Sequence, residues 1–182
     1  MFRRTGNPTG GTVRRVGVRD FDEYAAARWQ RLVRAAVLLG CTPHEAEDVV
    51  QSALVRCLVH WSRVRSAADR DAYVHRILVN TLTDTHRRRS RSELPSSLLP
   101  ERAVPDGTRA VDDRDALDRA LARLTPEQRE AVVLRYYLHL SEQQMAHVLV
   151  VAPGTVKSRL SRALATLAAD SSLAPAGGTA DD

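Results

Sequence analysis

Four times the chain spells out the start of a helix, and nowhere does it alternate polar and apolar residues long enough to build a strand. Asp20 with Glu23, Thr42-Pro43-His44-Glu45, Thr125-Pro126-Glu127-Gln128 and Ser141-Glu142-Gln143-Gln144 each set an oxygen-bearing cap three residues ahead of a Glu or Gln that can reach back to it. Two of them add proline at the first helical position, where its missing N–H costs nothing. These starts predict an all-α protein, because no sheet can form without period-two patterning.

The segments behind the starts keep helical spacing. After Asp20, the residues Phe21, Tyr24, Ala25, Leu32, Ala36 and Leu39 share a face until Gly40 supplies a stop. After Thr42, the series Ala46, Val49, Val50, Ala53, Leu54, Cys57, Leu58 and Trp61 does the same, with Glu45, Glu47, Asp48 and Gln51 in its first turns. A loop, SRVRSAADR, precedes a third helix from Asp71 to about Arg89, whose buried side uses Tyr73, Val74, Ile77, Leu78 and Thr81.

Residues 90–112 carry three prolines and several serines without a sustained period, which reads as a flexible linker. The chain is therefore expected to form two small helical domains. The first is a three-helix unit over 20–90, and the second spans 113–169, with the linker at 91–112. The Gly-, Arg- and Thr-rich residues 1–19 and the plain segment 170–182 read as disordered tails.

The balance of 27 basic to 22 acidic residues gives a net charge of +5, and all but one of the bases are arginine, Lys157 being the exception. Guanidinium groups suit phosphate and guanine. Cys41 and Cys57 form no CxxC or Cys/His cluster, so neither a disulfide framework nor a metal site is expected, and no cofactor is implied. The first twenty residues have no apolar core, and runs such as Ala35 to Leu39 are far too short to span a bilayer. A reduced, cytoplasmic setting without membrane contact is expected.

Two faces carry the functional reading. On a wheel of 100° per residue, Val156, Leu160, Ala163, Leu164 and Leu167 form a buried stripe. Ser158, Ser161, Arg162 and Thr155 lie opposite, with Lys157 and Arg159 on the flanks. A short helix from Ser141 to Leu149 and a tight turn come before it, so the pair reads as a helix-turn-helix whose second helix enters a major groove. In the third helix Arg76, Asn80, Thr83 and Arg87 line up at spacings of four, three and four, and Arg87, Arg88, Arg89 and Arg91 follow closely on one another. Basic residues stabilise a helix C-terminus, but this many exceed that need, and an Asn/Arg face suits partly unstacked DNA.

The segments "EAEDVVQSALVRCLVHW" (45–61), "AYVHRILVNTLTDTHRRR" (72–89), "LTPEQREAVVLRYYLHLSEQQMAHVL" (124–149) and "GTVKSRLSRAL" (154–164), in this order and with a proline-containing linker between them, resemble the extracytoplasmic-function group of sigma-70 RNA polymerase sigma factors, in particular its sigma-E-like members. The resemblance implies a region 2-like first domain and a region 4-like second one. It implies that Asp48, Gln51, Ser52 and Val55 dock on core RNA polymerase. It further implies that Arg76, Asn80, Thr83, Arg87 and Arg88 engage the −10 promoter element, and that Thr155, Lys157, Ser158, Ser161 and Arg162 read the −35 element with Arg159 at phosphate. Core RNA polymerase and promoter DNA are the implied partners, joined in many relatives by an anti-sigma factor. Where the family has Leu-Gly in the helix-turn-helix turn, this chain has Leu149-Val150, and Ala152 stands where relatives often have a capping serine.

Two other classes are weaker. His44-Glu45 lacks the second histidine of HExxH, and neither a Gly-rich phosphate loop nor a Ser/His/Asp set is suggested, so an enzyme is not expected. A stand-alone helix-turn-helix regulator is the alternative, but it needs neither the acidic Asp48/Gln51 helix nor the arginine-rich third helix.

Overall fold

A computed structural model describes residues 9–92 and 109–169, with side chains over 18–88 and 115–169. The chain is helical throughout these segments: α1 (Thr9–Leu38), α2 (Pro43–Val59), α3 (Trp61–Ser66), α4 (Arg70–Ser92), α5 (Arg109–Ala122), α6 (Pro126–Val132), α7 (Glu142–Leu149) and α8 (Pro153–Ala168), with a π-helical segment, Val133–Tyr137, at the end of α6. Residues 1–8, the linker residues 93–108 and the tail 170–182 lie outside the described residues.

Three of the four predicted starts form as read. Thr42, Thr125 and Ser141 each accept from the backbone N–H three residues on, and Glu45, Gln128 and Gln144 each reach back to the cap's own N–H. The fourth does not. The expected tail over 1–19 and start at Asp20 give way to a helix that already begins at Thr9, so Asp20 lies inside it. Its carboxylate instead accepts the Trp61 indole N–H at 3.1 Å. At the far end Gly40, at φ +112°, takes the left-handed turn that ends α1, and the Cys41 N–H reaches back to the Ala36 carbonyl at 3.1 Å.

The segment read as a loop after Trp61 contains the short helix α3, so the first unit has four helices. Trp61 and Val64 pin α3 down by burial. Phe21 meets Trp61 edge to face with centroids 5.3 Å apart, and the Arg70 guanidinium lies over both Tyr24 and Trp61. Tyr24 and Arg28 of α1 both bind Asp71 at the start of α4, at 2.7 and 2.9 Å. Burial opposes the Asp71 charge, but these two hydrogen bonds and the Arg28 charge prevail and hold its carboxyl below the usual range.

In the second unit α6 packs on α8 and α7 on α8. The π segment was not predicted. Its extra residue is taken up by the Leu138 N–H bonding the Val133 carbonyl at 3.0 Å, and His139 follows at φ 59°. The two units are not separate: α7 packs on α4, and one buried cluster runs from Leu32, Val50, Cys57 and Leu78 into Leu134, Met145, Val148 and Val156. No described helix is long and apolar enough to cross a membrane.

Candidate functional site

Helix α8 presents the face expected of it. Val156, Leu160 and Ala163 are buried, while Thr155, Lys157, Ser161 and Arg162 are exposed. Leu164, placed in the same stripe by its spacing, is 43% exposed because it lies at the stripe's edge. Ser158 is half-buried, donates to the Thr155 carbonyl at 3.0 Å and accepts from Arg162 at 3.3 Å, so the two form one small polar pair on the outward face. Arg159 turns the other way. It lies within electrostatic reach of Glu127 and Glu130 on α6, pulling both carboxyls down, although burial dominates at Glu130 and raises it.

The turn ahead of α8 carries the strain its sequence implies. Val150 caps α7 at φ 56°, ψ 46°, a left-handed geometry that a β-branched side chain resists. Ala152 holds the extended capping conformation, but no side chain accepts from the first turn of α8. Pro153 at the start compensates in part.

On α4, Asn80, Thr83 and Arg87 are exposed and Arg76 is half-buried, so the structure brings these four into one open strip. Thr83 returns its hydroxyl hydrogen to the Val79 carbonyl at 3.0 Å, leaving its oxygen free to accept. Asp84 is drawn away to Arg56 of α2 at 3.2 Å, which keeps its negative charge off the strip. Arg88 is exposed but projects about 100° round the helix from Arg87, outside the strip.

A third surface lies between α1 and α2. Asp48, Gln51, Ser52 and Val55 are exposed on one side of α2. Beside them opens an apolar groove of about 320 Å3 lined by Phe21, Ala25, Trp29, Gln51, Val55 and Leu58. Val55, Leu58 and Val59 leave 56%, 42% and 71% of their surface in solvent. Periodicity hides this groove, because Leu58 fits the buried stripe by spacing and Trp29 comes from another helix. Also missed in the sequence is His75, buried on α4 with its Nδ1 unpartnered, whose imidazole burial pushes down to about 4. No group of three or more His, Cys, Asp or Glu among the described residues could hold a metal ion.

An outward helix-turn-helix face, an Arg/Asn strip on a second helix and an apolar groove beside it define a helical DNA-binding protein with a protein-docking surface. The sigma-70 region 2 family model matches residues 26–92, and that for sigma-70 region 4 matches 114–167. The chain is 40% identical over 150 residues to the RNA polymerase sigma-E factor of Streptomyces avermitilis, covering 82% of this chain and 84% of that one. It is 36% identical to the extracytoplasmic-function sigma factor SigM of Mycobacterium tuberculosis, over 81% of this chain and 75% of that one. Among solved structures, the Bartonella quintana sigma factor RpoE in complex with the anti-sigma factor NepR is similar at 27% identity and TM-score 0.66, over 81% of this chain and 94% of that one. CnrH in complex with the cytosolic domain of CnrY is similar at 25% identity and TM-score 0.58, over 83% and 86%. The chain belongs to the sigma-70 family, as an RNA polymerase sigma factor of the extracytoplasmic-function type. Its partners are core RNA polymerase and promoter DNA.

Proposed function

We propose that the three surfaces divide the work of a sigma factor among named residues. Asp48, Gln51, Ser52 and Val55, with the adjoining apolar groove, dock on core polymerase. Arg76, Asn80, Thr83 and Arg87 engage the −10 element, and Arg88 reaches only a neighbouring phosphate. Thr155, Lys157, Ser158, Ser161 and Arg162 read the −35 element in the major groove. Arg159 shares its charge with Glu127 and Glu130 and contributes least of the six. In this scheme residues 20–90 act as the polymerase and −10 domain and 113–169 as the −35 domain, joined by 91–112.

The observation that supports this reading most is that an open apolar groove and two polar faces rich in Arg, Ser, Thr and Asn occur on one chain. A regulator acting on duplex DNA alone has no use for the groove. The chain works by binding in the cytoplasm, without catalysis, and an anti-sigma factor of the kind bound by RpoE and CnrH completes its set of partners.

The division is tested by two variants. Asp48→Arg is expected to weaken binding to core polymerase at least tenfold, while Arg162→Ala leaves core binding unchanged and lowers promoter-specific transcription by an amount matching loss of about 1–3 kcal/mol of base discrimination. Loss of both activities in a folded Arg162→Ala protein overturns the assignment.

A further inference from the structure

Three polar ties cross between the two halves of the molecule, and two of them are reciprocal. Arg129 on α6 donates through Nε to the carbonyl of Leu38, the last residue of α1, at 2.6 Å, and its guanidinium lies against Gly40, where an added Cβ would stand 3.2 Å from Nη1. Arg31 on α1 donates through Nη2 to the carbonyls of Tyr137 and Leu138, at 3.3 and 3.2 Å, where the π segment ends. Helix ends leave carbonyls without an intrahelical partner, and their dipoles attract cations. Each half thus caps a helix end of the other with an arginine. The third tie runs from the Gln144 amide on α7 to the Asp69 carboxylate just ahead of α4.

Between these ties α7 lies on α4, with Cα atoms of the two helices within 8 Å. Ala72, His75 and Val79, buried along α4 on the side next to the Arg76 strip, share this seam. Arg31 and Asp69, both engaged with the second half, are among the charges that act on the buried His75.

Such packing cannot serve both promoter elements at once. The −10 and −35 elements are separated by about 25 base pairs, or about 85 Å of straight duplex at 3.4 Å per pair. Helix α4 has 23 residues and is no longer than about 35 Å, α8 has 16, and α7 alone separates them. Their outward faces cannot lie 85 Å apart until the halves part.

We propose that the Arg31 and Arg129 caps, with the Gln144–Asp69 bond, form a latch that holds the free protein closed, and that docking on core polymerase opens it. The inference rests on the assignment of the two DNA-reading faces. The α1/α2 groove and the Asp48/Gln51 side of α2 are open in the closed form, so docking can begin before the latch releases. The latch lowers the free protein's apparent affinity for any partner that takes only the open form, by the fraction of molecules that are open.

The test uses the full chain with spin labels at Glu47→Cys on α2 and Ala165→Cys on α8, both exposed, while Cys41 and Cys57 are buried. Free protein is expected to give one short distance, and addition of Streptomyces coelicolor core polymerase a long one. Arg31→Ala with Arg129→Ala, its helix content checked by circular dichroism, is expected to show the long distance without polymerase and to bind core about tenfold more tightly, the factor withheld by a closed population of about 90%. A broad or long distance in the free wild-type protein overturns the latch, as does a short distance that survives in the double variant or in the polymerase complex. The free-protein distance decides the latch by itself; failure of core polymerase to bind overturns the functional reading instead.

Discussion

Val150 is the residue at which this chain departs most visibly from what its backbone asks. The position requires φ 56°, ψ 46°, and the side chain is 66% exposed, so it gains little from packing to offset the strain. Glycine adopts this geometry freely, at the cost of a more flexible unfolded chain. Val150→Gly is therefore expected to stabilise the protein by about 1 kcal/mol in urea unfolding, net of that entropy. Unchanged or lower stability would mean that Val150 makes a contact worth more than its strain. The strain was readable in the sequence because turn geometry is local, whereas the burial of His75 was not, since it depends on α7, some seventy residues away in the chain.

At the scale of elements, the capping boxes at Thr42, Thr125 and Ser141 were legible because cap and partner lie within one turn. Asp20 misled for the same reason. Its local pattern is that of a cap, but a helix already under way from Thr9 and a tryptophan at 61 claim the side chain. The π segment and α3 escaped notice because neither carries a start signal of its own. Helix α8 shows the opposite case: its face was read correctly from the wheel, and its weak start follows from Ala152. Ala152→Ser supplies an oxygen that can accept from the Thr155 N–H and is expected to add about 1 kcal/mol of stability. Thermal unfolding checks this, and no rise in the midpoint would show that Pro153 already fixes the start.

For the whole molecule, the sequence reveals two DNA-reading faces and a docking helix but not how they are arranged. Arg31, Arg129, Gln144 and Asp69 are ordinary surface residues until the fold brings together positions 75 to 107 apart in the chain. The apolar groove likewise needs α1 and α2 side by side before Trp29 and Val55 share a surface. A protein built this way has two small readers, each weak and salt-dependent alone, which act together once a common scaffold fixes their separation. The most direct measurement is binding of the purified chain to core RNA polymerase, followed by run-off transcription from a genomic fragment library with and without it. The account predicts tight core binding and new start sites that share two upstream elements. Specific binding to duplex DNA without any binding to core polymerase would contradict it.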